Sequence, residues 1–173
     1  MEKRKVGIGI CTALLLAAAM PLVAAELKPR EIAEKAAGQL GRELQEKLME
    51  SMQKNGPAAS IDVCAREAPA IAASIEQELW VSIKRTALKV RNPQNAPDAV
   101  EKQLLQTLSA AQQAGKTIPM EVAPFPDNQR RFYKVIMVQK PCLACHGDPA
   151  AMNEKVRREI AATYPEDLAI GYK

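Results

Sequence analysis

The stretch Trp80-Val81-Ser82-Ile83-Lys84-Arg85-Thr86-Ala87-Leu88-Lys89-Val90 decides the fold class. Its β-branched residues and its alternation of apolar with polar side chains predict a strand. The alternation falters at Lys84-Arg85, where a bulge or a functional surface would sit. A second strand is expected over Arg131–Gln139, rich in Val, Ile, Phe and Tyr, and a weak one over the Pro-punctuated Thr117–Phe125. The surrounding periodicity is helical. Glu31–Lys54 places Ala33, Ala37, Leu40, Leu44, Leu48 and Met52 on one face. Asn55-Gly56-Pro57 ends that helix, since Gly suits a left-handed cap and Pro cannot continue the helix. A second helix carries Ile61, Cys64, Ala68, Ile71, Ala72, Ile75 and Leu79 at three- and four-residue intervals. After the turn-rich Asn92–Pro97, a third carries Val100, Leu104, Leu105, Leu108 and Ala111, and Asp148-Pro149 opens a last one. Strands and helices mixed without βαβ regularity read as α+β.

The chain has 173 residues, the size of one domain. Residues 1–25 have the pattern of a cleaved signal peptide: basic Lys3-Arg4-Lys5, an apolar run from Val6 to Val23, and small Ala24-Ala25 before polar Glu26. A transmembrane anchor is the competing reading, weakened by Gly7, Gly9 and Pro21. Cys11 lies inside the apolar run, lacks a lipoprotein cleavage context and receives no function. Residues 26–173 form the expected single domain. The net charge of +4 falls to +2 when Glu2, Lys3, Arg4 and Lys5 leave with the signal, which gives no electrostatic case for nucleic acid or an anionic membrane. With 47% hydrophobic and 25% charged residues the domain is globular, and with 3% aromatics its core is mostly Ala, Leu, Ile and Val. The expected location is an oxidising compartment, the bacterial periplasm, with no stable membrane insertion after cleavage.

Cys142-Leu143-Ala144-Cys145-His146 carries the chemistry. C-x-x-C-H is the attachment pattern of haem c. Two thiols add to the haem vinyl groups as thioethers, and the adjacent imidazole is held where it binds iron. His146 is the one histidine of the chain, which sharpens the match, and export suits a group attached outside the cytoplasm. Three other readings compete. A thioredoxin-like dithiol needs a βαβ setting that is missing. A zinc site would take Cys64, Cys142, Cys145 and His146, although adjacent ligands such as Cys145 and His146 are unusual there. A plain Cys142–Cys145 disulfide leaves Cys64 odd.

With His146 proximal, no second histidine exists for the opposite face of the iron. Met, Cys, Lys, Tyr, main chain, solvent or no ligand stay open there. The methionines of the mature chain are Met49, Met52, Met120, Met137 and Met152; Met152 follows His146 too closely to reach the far face, and Met49 and Met52 read first as core filler. Cys64 is the odd thiol left after two thioethers form, on the apolar stripe of the second helix. Its spacing alone fits a small buried hydrophobe as well as a ligand.

Four stretches resemble a known family. They are Ile61-Asp62-Val63-Cys64-Ala65 with Ala68-Pro69 and Ile71-Ala72; Arg85–Asp98; Cys142–Gly147; and Tyr164-Pro165 with Asp167, Ala169 and Gly171-Tyr172. The chain resembles the periplasmic monohaem c-type proteins with a PAS-like fold that are catalogued as a domain of unknown function. The resemblance implies an antiparallel sheet flanked by helices, with a long N-terminal helix and one covalent haem. It implies His146 as proximal and Cys64 as distal iron ligand. It also implies a further Gly-containing strand beyond Gly171-Tyr172; with the chain ending at Lys173, the sheet is expected one strand short.

The expected function is that of an exported monohaem c-type cytochrome in redox or ligand sensing or in electron transfer. It would not be an enzyme, and its partners would be a redox protein and the cytochrome c maturation machinery. A peroxidase-like enzyme is the first alternative, and it would need an open distal site with polar groups to polarise peroxide. A helical c-prime-type cytochrome is the second, disfavoured by the strand-like segments. On a strand, Arg85, Lys89 and Arg91 would share one face and meet haem propionates or simply solvent.

Overall fold

The computed structural model describes residues 28–119 and 131–173, and the backbone of Glu121 and Val122. The expected signal peptide with Cys11, and Met120 and Phe125, lie outside the described residues.

Helix α1 runs Pro29–Ala59, with Pro29 at its first turn and a break at Gly56, whose φ of 81° is the left-handed geometry expected of the Asn55-Gly56-Pro57 stop. Helix α2 spans Ala68–Leu79. It is preceded by a π turn, Val63–Glu67, in which the Ala68 N–H reaches back to the Val63 carbonyl. Helix α3 spans Ala99–Gln113 and is capped reciprocally: Asp98 accepts from the Glu101 N–H and Glu101 from the Asp98 N–H, both at 2.8 Å. Two-residue strands β1 (Glu121–Val122) and β2 (Tyr133–Lys134) pair antiparallel, Glu121 opposite Lys134 and Val122 opposite Tyr133. A 3-10 turn, Lys140–Cys142, leads into the one-turn helix α4, Leu143–His146, and α5 spans Glu154–Thr163.

The core has two parts. Ala36 and Leu40 of α1 bury against Ile75 of α2, with Leu44, Ile71, Leu79, Val81 and Ile83 packed around them. Ile61 buries against Val156 and Ile160 of α5, with Cys145, Met152 and Tyr164 packed around that set. The second cluster brings the helix entrance beside Cys64 up to α4.

The α+β, PAS-like expectation is overturned. Among the described residues the architecture is mostly helical, and the β1–β2 pair is the whole sheet. Residues 81–87 have no regular secondary structure and belong to no ladder. Their burial alternates from Val81 through Arg85 and then stops at Thr86, so the periodicity reported one half-buried face. That face lies on α1 and α2, and the backbone finds single partners instead of a neighbouring strand. The Ile83 N–H donates to the Glu76 carboxylate at 2.6 Å, and the Val90 carbonyl accepts from the Leu168 N–H at 3.0 Å. Trp80, expected to open the strand, instead ends α2 in the left-handed region (φ 54°). Residues 132–138 show the same alternation with only Tyr133 and Lys134 paired. Without a PAS-like sheet, the expected missing final strand loses its place too; the Tyr164–Tyr172 tail folds back onto α4.

Candidate functional site

The site is built on α4. Gly147 caps it, and its N–H donates to the Leu143 carbonyl at 2.9 Å. A Cβ at Gly147 would sit 2.5 Å from that same oxygen, so the short helix closes only with glycine there. The tail pairs with the far side of this turn: the Tyr172 N–H donates to the His146 carbonyl at 3.0 Å and the Gly171 N–H to the Gly147 carbonyl at 2.8 Å. Gly171 has φ 75°, which allows the reversal.

His146 Nδ1 lies 2.7 Å from the Ala169 carbonyl oxygen. A carbonyl only accepts, so Nδ1 carries the proton and Nε2 of the neutral ring presents its lone pair. Burial holds the His146 imidazole below its ordinary pKa, and the charge of Arg91 acts in the same direction, against the Ala169 bond and Asp167. The Tyr172 ring meets His146 edge-on at 6.2 Å.

Cys64, Cys142 and Cys145 are all free thiols, half-buried. Cys64 sits in the π turn before α2. Such a widened turn displaces the side chains that follow it, and it often marks functional positions. Burial pushes the Cys64 thiol up, while Arg85 and, more weakly, Arg91 pull it down. Burial likewise raises Cys145, which also feels the charge of Cys64. The structure therefore gathers Cys64, Cys145, His146, Arg85 and Arg91 in one neighbourhood. Among the described residues, no three His, Cys, Asp or Glu side chains converge as a metal cage.

The basic trio does not share a face, because there is no strand to align it. Arg91 is turned inward. Its Nε and Nη2 pair with the two oxygens of Asp167, each at 3.1 Å, and Nη2 also donates to the Cys145 carbonyl at 2.6 Å. Lys89 donates to the Ile170 carbonyl at 3.2 Å and stands 5.4 Å from the Tyr172 ring centre. Arg85 makes no hydrogen bond or ion pair among the described residues, which leaves it the one member of the trio free to meet an anionic group. Sequence reasoning missed Asp167, Ala169 and Tyr172 as site residues, although the Tyr164–Tyr172 stretch was noted; their contacts cross more than twenty residues of chain.

Beside α4 lies a groove of about 370 Å³, lined by Leu143, Gly147, Met152, Val156 and Tyr172 among others. None of the three thiols or His146 lines it, so the donor set and not cavity shape identifies the site. Met152 faces this groove, Met49 is exposed, and Met52 and Met137 are half-buried.

The donors fit haem c. Two free thiols three residues apart sit on one turn, the adjacent imidazole has its Nε2 available, and a third thiol comes from a different helix. Comparison with known proteins gives the family: the profile of the Tll0287-like family matches residues 19–173, and the chain belongs to that family, a domain family of unknown function. No curated protein and no solved structure matches the chain. Among the described residues, no helix is long and apolar enough to cross a membrane.

Proposed function

We propose that the mature chain is a periplasmic monohaem c-type cytochrome, acting in redox or ligand sensing or in electron transfer. Cys142 and Cys145 would hold haem c as thioethers, and His146 and Cys64 would be its iron ligands. The observation that carries the reading is the packing of Cys145 against the Ile61–Val156–Ile160 cluster, which brings the π turn holding Cys64, two residues after Asp62, beside the C-x-x-C-H turn. When bound, the haem supplies a one-electron couple whose potential follows its axial ligands and surroundings. The chain's own contribution is position. The 3-10 turn and α4 together present both thiols and the imidazole, the tail fixes the ring through Ala169, and α1 with α5 seats the entrance to Cys64. Arg85, which makes no hydrogen bond or ion pair among the described residues, would be the one to meet a propionate; Arg91 and Lys89 are engaged elsewhere.

The helical architecture removes the ground for setting aside a c-prime-type cytochrome, whose distal face would be open. One measurement addresses both readings. Protein purified from the periplasm should carry one covalent haem by mass and by pyridine haemochrome, with a low-spin ferric EPR spectrum of thiolate type. A high-spin ferric spectrum would favour the c-prime-type reading. Absence of covalent haem, or its persistence in a Cys142→Ser/Cys145→Ser variant, would end the proposal.

A further inference from the structure

The Arg91–Asp167 pair is nearly sealed from solvent: their side chains are 9% and 6% exposed. It joins three parts of the chain. Arg91 ends the extended segment after α2, Asp167 belongs to the tail, and Arg91 Nη2 reaches the Cys145 carbonyl at 2.6 Å, one residue before His146. Asp167 has a second task. Its Oδ1 accepts from the Ala169 N–H at 2.9 Å, and Ala169 is the residue whose carbonyl holds His146 Nδ1. The Ala169 carbonyl also lies 3.4 Å from Arg91 Nη2. Both sides of the Ala169 backbone are thus tied to one fork-to-fork ion pair, a geometry that arginine alone among the cations can make.

We infer that Arg91 and Asp167 are positioning residues for the His146 imidazole, fixing the Ala169 carbonyl on Nδ1 and so aiming Nε2. The consequence for iron rests on the haem reading above. An imidazole that donates firmly to a held carbonyl is a better electron donor through its other nitrogen. The negative charge of Asp167, close to the site, stabilises the oxidised state in the same direction. Loss of Asp167 should therefore raise the midpoint potential, both by loosening the imidazole and by leaving Arg91 uncompensated.

The test uses the full exported chain with a histidine-free affinity tag and 15N-labelled histidine, so that His146 gives one labelled imidazole. In the reduced parent protein, Nδ1 should be protonated and slow to exchange with solvent. Asp167→Ala should speed that exchange about tenfold or more, because the ring bond opens more often. It should also raise the midpoint potential while retaining one covalent haem. Asp167→Asn keeps an acceptor for the Ala169 N–H but not the charge; it should restore slow exchange and still raise the potential. Exchange and potential that both stay at parental values in a folded Asp167→Ala overturn the inference, even if the melting temperature falls. Should Asp167→Ala fail to fold, Arg91→Lys, which keeps both charges and loses the fork, should likewise speed the exchange at Nδ1, and parental exchange in it overturns the inference. A parent without covalent haem refutes the haem reading alone, since exchange at Nδ1 still decides whether the clamp holds the ring.

Discussion

The backbone N–H of Ile83 donates to the carboxylate of Glu76 at 2.6 Å. A helix side chain thereby occupies the position that a neighbouring strand would otherwise fill. Ile83 packs on the α1–α2 core, so its N–H is poorly placed to find water once that partner is lost. Glu76→Ala should lower stability by about 1 kcal/mol, the low end of the cost of an unsatisfied donor at a part-buried site. Glu76→Gln keeps an acceptor oxygen and should recover most of that loss. Denaturant unfolding of the two variants checks the order, and equal midpoints for Ala and Gln would show that the bond contributes nothing.

The same bond explains what was and was not legible in the sequence. Alternation from Val81 marked one half-buried face, but the strand read from it does not form. Periodicity reports burial on one side; it does not report whether a strand lies alongside. Here the partners are the Glu76 carboxylate and, further on, Leu168, neither of which leaves a mark in the local pattern. The first three helices were legible because their apolar stripes and stops are local: Gly56 and Asp98 act within four residues of themselves. The last was expected to open at Asp148-Pro149, but those residues form a turn and α5 begins at Glu154, capped by the Asn153 side chain. Arg91 was visible as a charge, but its partner Asp167 is 76 residues away in sequence, so only a solvent or propionate role could be read for it and the inward one was missed. The π turn at Cys64 has no signature in Val63–Glu67, whose helical spacing continues unbroken.

Two glycines should respond oppositely to alanine. Gly147 has ordinary backbone angles, so the obstacle is contact: a Cβ would lie 2.5 Å from the Leu143 carbonyl oxygen. Relief requires shifting backbone in α4, at a cost of about 1–3 kcal/mol. Gly41, within α1, has nothing within 4 Å of an added Cβ. Gly41→Ala should stabilise by roughly 0.5–1 kcal/mol through helix propensity and a less flexible unfolded chain. Thermal melts of both variants test the pair; a neutral Gly147→Ala would mean that α4 can open without loss.

Export should be required for a finished protein. A chain beginning at Glu26, without Lys3-Arg4-Lys5 and the apolar run, should accumulate in the cytoplasm with free Cys142 and Cys145, because haem c is attached beyond the inner membrane. Haem staining of denaturing gels from periplasmic and cytoplasmic fractions reads this directly. Full staining of the cytoplasmic product would remove the compartment argument.

Cys64 gives the most discriminating prediction. Its thiol comes from a different helix from the two attachment cysteines, and the π turn of Val63–Glu67 sets its direction. Arg85 and Arg91 act on it as cations, so a negative sulfur at this position meets compensating charge. A thiolate ligand favours ferric over ferrous iron more than a neutral ligand does, which places the midpoint potential low within the roughly 0.8 V range that axial ligands span. Cys64→Ala leaves Cys142, Cys145 and His146 in place, so one covalent haem should remain. The thiolate-type EPR signature should disappear and the potential should rise. Stability should change little, or fall by no more than about 1–2 kcal/mol for a half-buried sulfur replaced by a methyl group. Cys64→Met separates charge from occupancy: it restores a ligand without restoring the negative sulfur, so its potential should stay above the parent's while its ferric spectrum returns to low spin. If Cys64→Ala keeps the parental EPR spectrum and potential, the sixth ligand lies elsewhere, and Met52, half-buried on α1, is the next side chain to replace.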